Sequence, residues 1–243
     1  MHSLFGTKHL IILAISAIFI VLGAVFTRKW DLKKLCKTML GIGLVSEFIK
    51  VFYYILANEA THGGILPKTD LPFHLCSIQI IFVAVLVFAS SEKLKEILLS
   101  FMLPSCLFGG IAALLIATDS SRNGGWIITL QYFGYHAALT VFALALLRGQ
   151  AMQFTVKHYF SCLKFLAVLM LFAVYVNSII YDGTDKINFM YVASPPASGL
   201  PFLTEKYGWA VYVVHYISLI LFCVTLCYIK PIVTSLKSRF KKN

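Results

Sequence analysis

The chain has 243 residues, of which 59% are hydrophobic and 13% are charged, and its mean hydropathy is +0.84. A soluble domain is usually about half apolar and about a quarter charged, so this composition excludes an ordinary soluble protein. The formal net charge of +11 would suit a nucleic-acid-binding protein. The basic residues, however, follow the pattern of a membrane topology, and we expect no nucleic-acid partner.

Seven apolar segments approach the length of about 20 residues that a membrane-spanning helix needs. Helices are required because lipid offers no hydrogen-bond partners to the backbone. The first segment has only Lys8 before it and no small-residue cleavage site after Phe26, so we interpret it as a retained helix and not as a signal peptide. The sequence predicts one all-α polytopic domain over residues 1–243, a seven-helix transmembrane bundle with spans at 10–26, 38–57, 74–90, 97–118, 126–147, 162–181 and 208–229.

The basic residues separate into two groups along the chain. Fifteen of the 21 lysines and arginines follow the first, third, fifth and seventh segments, and only five lie on the other side. Cytoplasmic loops carry such an excess of basic residues, so the N-terminus is predicted outside and the C-terminus in the cytoplasm.

The six cysteines do not form a disulfide framework. Cys76 is the one cysteine predicted near the outer face, and the others fall inside spans or at the cytoplasmic boundary. Cys223 and Cys227 share a helix face but have no histidine beside them, which favours packing over metal binding. We expect no metal and no cofactor.

The last outer loop, residues 182–207, is long for a compact membrane protein, and loops of that kind are usually functional or disordered. It carries Pro195, Pro196 and Pro201, and its remaining content is too apolar for a solvated linker. We predict that it lies over the outer mouth of the bundle as a lid or an interfacial segment.

Polar residues inside the predicted spans are the best markers of a site, because lipid makes them costly. Most of them fall between mid-membrane and the outer face, which predicts one cavity that opens outward or into the outer leaflet. Simpler explanations exist: two of the charges can neutralise each other, and a lone histidine can bond a neighbouring helix. The candidates are Glu47, Lys50, His74, Gln79, Tyr132, His136, Asn177, Tyr212 and His215.

Cys76 combines the features of a nucleophile, because it follows the predicted start of the third helix and a helix N-terminus stabilises a thiolate. Thr69 or Asp70 is the predicted cap of that helix, with Pro72 in its first turn. His74 and Cys76 are two apart, so on a regular helix they point to nearly opposite sides, unless the helix starts after His74.

A base for Cys76 is therefore expected from another helix, His136 first and His215 second. An amide such as Gln79 or Asn177 could stabilise the oxyanion.

Three segments resemble the YwaF family of bacterial integral membrane proteins. They are Phe73-His74-Leu75-Cys76 after a proline, Tyr135-His136, and Asn188-Phe189-Met190-Tyr191 followed by Pro195-Pro196 and Gly208-Trp209.

The resemblance implies a multi-pass protein of a bacterial cell membrane. It also implies a kinship with an animal seven-helix acyltransferase that transfers polyunsaturated chains to lyso-ether phospholipids through a cysteine thioester. Cys76 would be the nucleophile, with His136 beside it. The Val192-Ala193-Ser194 stretch before the prolines departs from the expected pattern, which puts the substrate in doubt more than the reaction.

The predicted function is an acyltransferase or transacylase that moves a fatty acyl chain between membrane phospholipids and lysophospholipids. His74, Gln79, Tyr132, Asn177, Tyr191 and Tyr212 are the expected substrate-binding or oxyanion residues, and Glu47 and Lys50 form a structural or site ion pair. Two other classes remain open: a lipid hydrolase with water as the acceptor, and a lipid or proton-coupled transporter. The transporter lacks support from internal repeats, which such proteins usually show.

The segregation of basic residues leads to a topological prediction. Reporter tags at the N-terminus and the C-terminus should lie on opposite sides of the membrane, because the charge bias places only the C-terminus in the cytoplasm. Protease protection of each tag in sealed vesicles measures this. Two cytoplasmic tags would mean that one helix does not cross, and the predicted outer position of Cys76 would then be wrong.

Overall fold

The structure is a computed structural model that describes residues 4–57, 65–118, 121–122, 125–149, 152–183, 187–196, 200 and 202–240. Within these residues the fold is helical and contains no strand. The main helices, in chain order, are α1 Thr7–Phe26, α2 Leu32–Phe52, α3 Leu75–Phe88, α4 Glu92–Leu115, α5 Trp126–Leu147, α6 Val156–Ile180, α7 Trp209–Cys227 and α8 Ile229–Phe240.

Six of these helices are long and apolar enough to cross a membrane, and α3 is not. The protein is therefore the expected polytopic helical membrane protein, but its third apolar helix is short. With 14 residues, α3 is about 21 Å long, against a hydrocarbon core of about 30 Å. The predicted span at 74–90 is correspondingly too long.

Several helices begin before the apolar segments that predicted them. The start of α2 is fixed by Asp31, whose side chain accepts a hydrogen bond of 2.7 Å from the Lys34 backbone N–H. Thr155 and His158 form a capping box at the start of α6. These polar first turns lie at the membrane boundary, so hydropathy does not report them.

The helices alternate in direction, and one end of the bundle holds the N-terminus of α1 together with residues 65–74 and 187–196. We call this the outer end. The neighbouring pair α4 and α5 forms the centre of the bundle, with α1 and α2 against α5 and with α3 and α6 against α4. Gly110 allows α4 and α5 to approach closely, since a Cβ there would lie 2.9 Å from the His136 carbonyl oxygen.

Pro104 lies inside α4, where it lacks the N–H that would bond the Ser100 carbonyl. The hydroxyl of Tyr228 replaces that donor and lies 2.8 Å from the Ser100 oxygen. Tyr228 is completely buried at the junction of α7 and α8. A proline inside α4 thus has a specific consequence, a hydrogen bond that ties the end of α7 to α4.

Removal of the Tyr228 hydroxyl tests this compensation. Tyr228→Phe should lower the free energy of unfolding by about 1–3 kcal/mol, because it leaves the Ser100 carbonyl buried without a partner. In a Pro104→Ala background the same change should cost less, since an alanine at that position restores the N–H. Thermal unfolding of all four proteins in detergent measures the coupling, with Tyr175→Phe, an exposed position, as control. Equal losses in both backgrounds would contradict the compensation.

Candidate functional site

One cavity of about 590 Å³ lies among α2 to α7. The volume is typical of a small-molecule site. Apolar residues such as Leu166, Met170 and Val224 line part of it. Its polar lining comes mainly from the outer end: Ser46, Glu47, Lys50, Tyr54, Thr69, Asp70, His74, Cys76, Ser105, Gln131, Tyr132, Tyr135, His136, Asn188, Tyr191 and Tyr216.

Cys76 is the second residue of α3 and lines the cavity. No side chain of the described residues caps this helix terminus, so the first backbone N–H groups of α3 are left for another partner. The Tyr135 hydroxyl donates a 2.8 Å hydrogen bond to the Cys76 carbonyl oxygen and links α3 to α5. The helix start predicted at Thr69 or Asp70 is wrong, because those residues form a separate 3₁₀ turn, Lys68–Asp70.

His74 precedes α3 in an extended conformation, with φ −68° and ψ 152°. The helix therefore starts after His74. The side chains of His74 and Cys76 are then not held on opposite sides of one helix, as a regular helix through both residues would require. Both side chains line the cavity. The imidazole ring packs against Phe189 and Tyr191, with ring centroids 5.0 Å and 5.6 Å away.

His74 is a neutral base at neutral pH. Burial lowers its pKa from the ordinary value of 6.5 to about 4, a hydrogen bond with the Thr69 backbone opposes the shift, and Lys50 adds to it. His136 is also close enough to interact with it electrostatically. The structure thus presents two histidines to the cavity, one from the α3 terminus and one from α5.

The tautomer of His136 follows from its contacts. Its Nδ1 lies 2.7 Å from the Tyr132 carbonyl oxygen, which can only accept, so Nδ1 carries the proton. In the neutral ring Nε2 is then the basic nitrogen. The Tyr132 ring lies tilted against the imidazole with centroids 4.2 Å apart, and its hydroxyl donates to the Ala113 carbonyl oxygen. Tyr132 also lies near enough to Cys76 for an electrostatic interaction, so thiol and imidazole share a neighbour.

Glu47 and Lys50 form an ion pair of 2.8 Å in the cavity wall. The Lys50 ammonium also donates to the Asp70 carbonyl oxygen at 2.8 Å. The pair therefore connects α2 with the segment that leads into α3. Both descriptions from the sequence, a structural pair and a pair at the site, fit this geometry.

One described part of the predicted lid, residues 187–196, reaches the cavity through Asn188, Met190, Tyr191, Pro195 and Pro196. Met190 and Tyr191 have φ of 56° and 54°, the left-handed region that residues with side chains seldom adopt. Burial, followed by the neighbouring Cys76, raises the pKa of Tyr191 to about 12, so its hydroxyl keeps its proton.

Hydrogen bonds from two helices hold this segment in place. Tyr216 donates to the Met190 carbonyl oxygen at 2.6 Å, and Tyr212 donates to the carbonyls of Tyr191 and Ser194. Asn177 bonds the backbone N–H and C=O of Phe189. Asn177 and Tyr212 do not line the cavity, so the binding or oxyanion roles predicted for them are replaced by a role in shaping the lid.

His215 does not line the cavity either, and its side chain is exposed on the outside of the bundle. The inward face of α7 is set by Tyr212 and Tyr216, four residues apart, and His215 is rotated by about 100° from Tyr216. Its predicted role as a base is therefore wrong. Gln79 is buried behind the wall, where its Nε2 donates to the Ser105 hydroxyl at 2.9 Å, so Ser105 and not Gln79 faces the cavity.

Sequence reasoning assigned no site role to several polar residues of the cavity wall, among them Tyr216, Asn188, Tyr135 and Ser105. Tyr216 could have been found, because it lies four residues from Tyr212 on the same helix face. Asn188 stabilises the turn of the lid, with its amide bonded to Ser194 and to the Ala193 N–H. Over the residues that the structure describes, no three histidine, cysteine or acidic side chains gather as a metal site would require.

Comparison with known families finds the TMEM164 family, whose model matches residues 4–228. The match covers most of the chain, which therefore belongs to this family of membrane proteins. It does not bear on the YwaF resemblance or on acyl transfer. No curated protein and no solved structure matches the chain.

The low pKa of His74 predicts how stability depends on pH. The unfolded state takes up a proton below about pH 6.5, whereas folded His74 stays neutral to about pH 4, so stability falls as the pH drops through this window. His74→Asn should remove part of that loss, about 1–3 kcal/mol at most. The measurement is the difference in Tm between pH 7 and pH 4.5 in detergent. An unchanged difference in the variant would show that His74 is not buried as a neutral ring.

Proposed function

We propose that this TMEM164-family protein is a membrane acyltransferase that moves a fatty acyl chain between phospholipids and lysophospholipids through a thioester on Cys76. The observation that carries the proposal is a thiol at a helix N-terminus that no described side chain caps, in the wall of a cavity that His136 also lines. A thiol and an imidazole on separate helices, facing one space, are the elements of nucleophilic acyl transfer.

The lining of the cavity suits an amphiphile with an acyl chain and a charged headgroup. Glu47, Lys50 and Asp70 lie at the outer end, where a headgroup would enter, and they offer charges of both signs. Apolar side chains of α6 and α7 line the other part, where an acyl chain would lie. The ester that joins the two parts of such a molecule would lie between them, and Cys76 occupies that intermediate position at the start of α3.

The proposed reaction has two half-reactions. In the first, His136 Nε2 takes the thiol proton while the Cys76 sulfur attacks the ester carbonyl of the donor phospholipid. The C–O bond then breaks, the lysophospholipid oxygen takes the proton from His136, and the acyl chain remains on sulfur. In the second, an acceptor hydroxyl gives its proton to His136, attacks the thioester carbonyl and takes the acyl chain, and the proton returns to the thiolate.

The oxyanion of each step needs hydrogen-bond donors that are already oriented. The N–H groups in the first turn of α3 are suited to this role, because they lie beside the sulfur and no side chain of the described residues caps them. We assign the stabilisation of the oxyanion to these N–H groups and not to the side-chain amides of Gln79 and Asn177, because both amides are already hydrogen-bonded to other groups. His74 is the second candidate base, since it is neutral and faces the same cavity.

The choice between transfer and hydrolysis depends on the second half-reaction alone, because both begin with the same thioester. We place the protein among the transferases, since Met190 of the lid is buried and lines the cavity, where its apolar side chain would keep water out. The relation to the YwaF family and a location in a bacterial cell membrane are parts of the same proposal, and they rest on the resemblance of the His-Leu-Cys and Asn-x-Met-Tyr segments.

Replacement of the nucleophile gives the decisive test. Cys76→Ala should abolish turnover of lysophospholipid and any hydroxylamine-sensitive acyl mass on the intact protein. Cys76→Ser should lose at least about 100-fold in rate, because an alcohol forms little alkoxide near neutral pH. Cys36→Ala, a buried cysteine outside the cavity, is the control and should stay active. Full activity of Cys76→Ala would rule out the covalent mechanism.

The same assay separates the histidines. His136→Ala should lose about 100-fold to 10,000-fold in rate, as expected for a general base. His215→Ala should resemble the unmodified protein because its side chain is outside the bundle. A free fatty acid as the main product, in place of a new phospholipid, would assign the protein to the hydrolases.

A further inference from the structure

A second depression lies on the membrane-facing side of the bundle, between α2 and α5. It has a volume of about 410 Å³ and is almost entirely apolar, with Gly41, Ile42 and Val45 on one wall and Leu130 and Gly134 on the other. We call it the α2–α5 groove. Val45 and Leu130 are 59% and 61% exposed, which means that the groove faces the lipid and is not closed by another part of the described chain.

The two glycines of the groove, Gly41 and Gly134, are not required for close helix packing within the described chain. Gly23, Gly43 and Gly110 each lie against a neighbouring helix, where a Cβ would come within 3.0 Å of another atom. At Gly41 and Gly134 a Cβ would meet no described atom within 4 Å. Glycine inside a helix costs about 0.5–1 kcal/mol relative to alanine, so an empty space beside it is not a stabilising feature. Both glycines keep the same groove clear, one from each wall.

The groove and the cavity are separated by a thin partition. Ser46, Gln131 and Tyr135 line both spaces. Across this partition the Gln131 amide donates a 2.7 Å hydrogen bond to the Ser46 hydroxyl. An opening between the two spaces would have to break this hydrogen bond.

We propose that the α2–α5 groove binds an acyl chain of a membrane phospholipid and is the lateral route by which that chain enters the cavity. The occupant follows from the surroundings, because a groove that is lined by apolar residues and faces the hydrocarbon core is in contact with the acyl chains of the bilayer. The residues of the groove lie in the middle and outer part of the bundle, at the depth of the partition. The proposed binding of an acyl chain in the groove does not depend on the proposed function, whereas the proposed entry of that chain into the cavity does.

Binding can be measured without turnover. The Cys76→Ala protein, which in the proposed mechanism cannot form a thioester, is placed in nanodiscs with a phosphatidylcholine that carries a diazirine on its acyl chain. After irradiation, mass spectrometry should find labelled peptides from residues 38–49 and 130–135. Gly134→Leu and Gly41→Leu fill the groove without a clash and should lower this labelling about fivefold or more, because the chain loses its packing contacts. Ala17→Leu adds bulk to an exposed position of α1 and is the matched control.

Entry is tested in the protein with Cys76 present. Gly134→Leu should slow the appearance of acyl adduct from a long-chain phospholipid, and it should leave the rate unchanged with a dihexanoyl phospholipid that reaches the outer end from water. Equal labelling in the Gly134→Leu, Gly41→Leu and control proteins would overturn the binding proposal. Normal long-chain rates in proteins with a filled groove would overturn the entry route. Absence of adduct from every donor with the unmodified protein would reject the proposed function and leave the labelling result intact.

Discussion

A helix too short to cross the membrane determines where the cavity lies. Because α3 has only 14 residues, the chain before it must pass through the outer part of the bundle without helical hydrogen bonds. Lipid offers no partners to such backbone groups, so this segment can exist only where protein surrounds it or where it lines a cavity. Lys50 satisfies the Asp70 carbonyl, and Tyr135 satisfies the carbonyl of Cys76. The same shortness brings the start of α3, with Cys76, inside the bundle.

The second irregular segment depends on the first. Phe73 and His74 pack on Phe189, with ring centroids 5.4 Å and 5.0 Å apart, so the lid rests on the chain that leads into α3. Two successive left-handed residues, Met190 and Tyr191, cost about 1–3 kcal/mol each unless the surroundings hold them. The hydroxyls of Tyr212 and Tyr216 do so by bonding their carbonyls. Two separate hydrogen-bond donors thus hold a strained backbone beside the cavity. This indicates that the shape of the segment is more important there than the free energy that an unstrained backbone would gain.

Hydropathy and charge could predict the class of the protein because both act on long stretches of sequence. They could not predict the length of α3, since the helix is bounded by the extended backbone of His74 before it and of Ala89 after it, and hydropathy reports neither. The error at His215 has a related cause. A helix that is apolar on all sides does not reveal which face points inward, so a polar residue on its outer face looks like one on its inner face. His136 does line the cavity, and it lies on a helix most of whose residues are buried, so its side chain faces protein.

In the proposed reaction, the lid would influence whether water or the hydroxyl of a lysophospholipid accepts the acyl chain. In the proposed reaction a thioester on Cys76 persists only as long as water is kept from it, because water and an acceptor hydroxyl compete for the same carbonyl. The buried face of the lid is apolar, and the polar side chains beneath it are already bonded: Glu47 to Lys50, Gln131 to Ser46 and His136 to Tyr132. A lysophospholipid brings an acyl chain that fills the apolar space, which a water molecule cannot do. Replacement of water by that chain is therefore the physical basis on which such a cavity would favour transfer over hydrolysis.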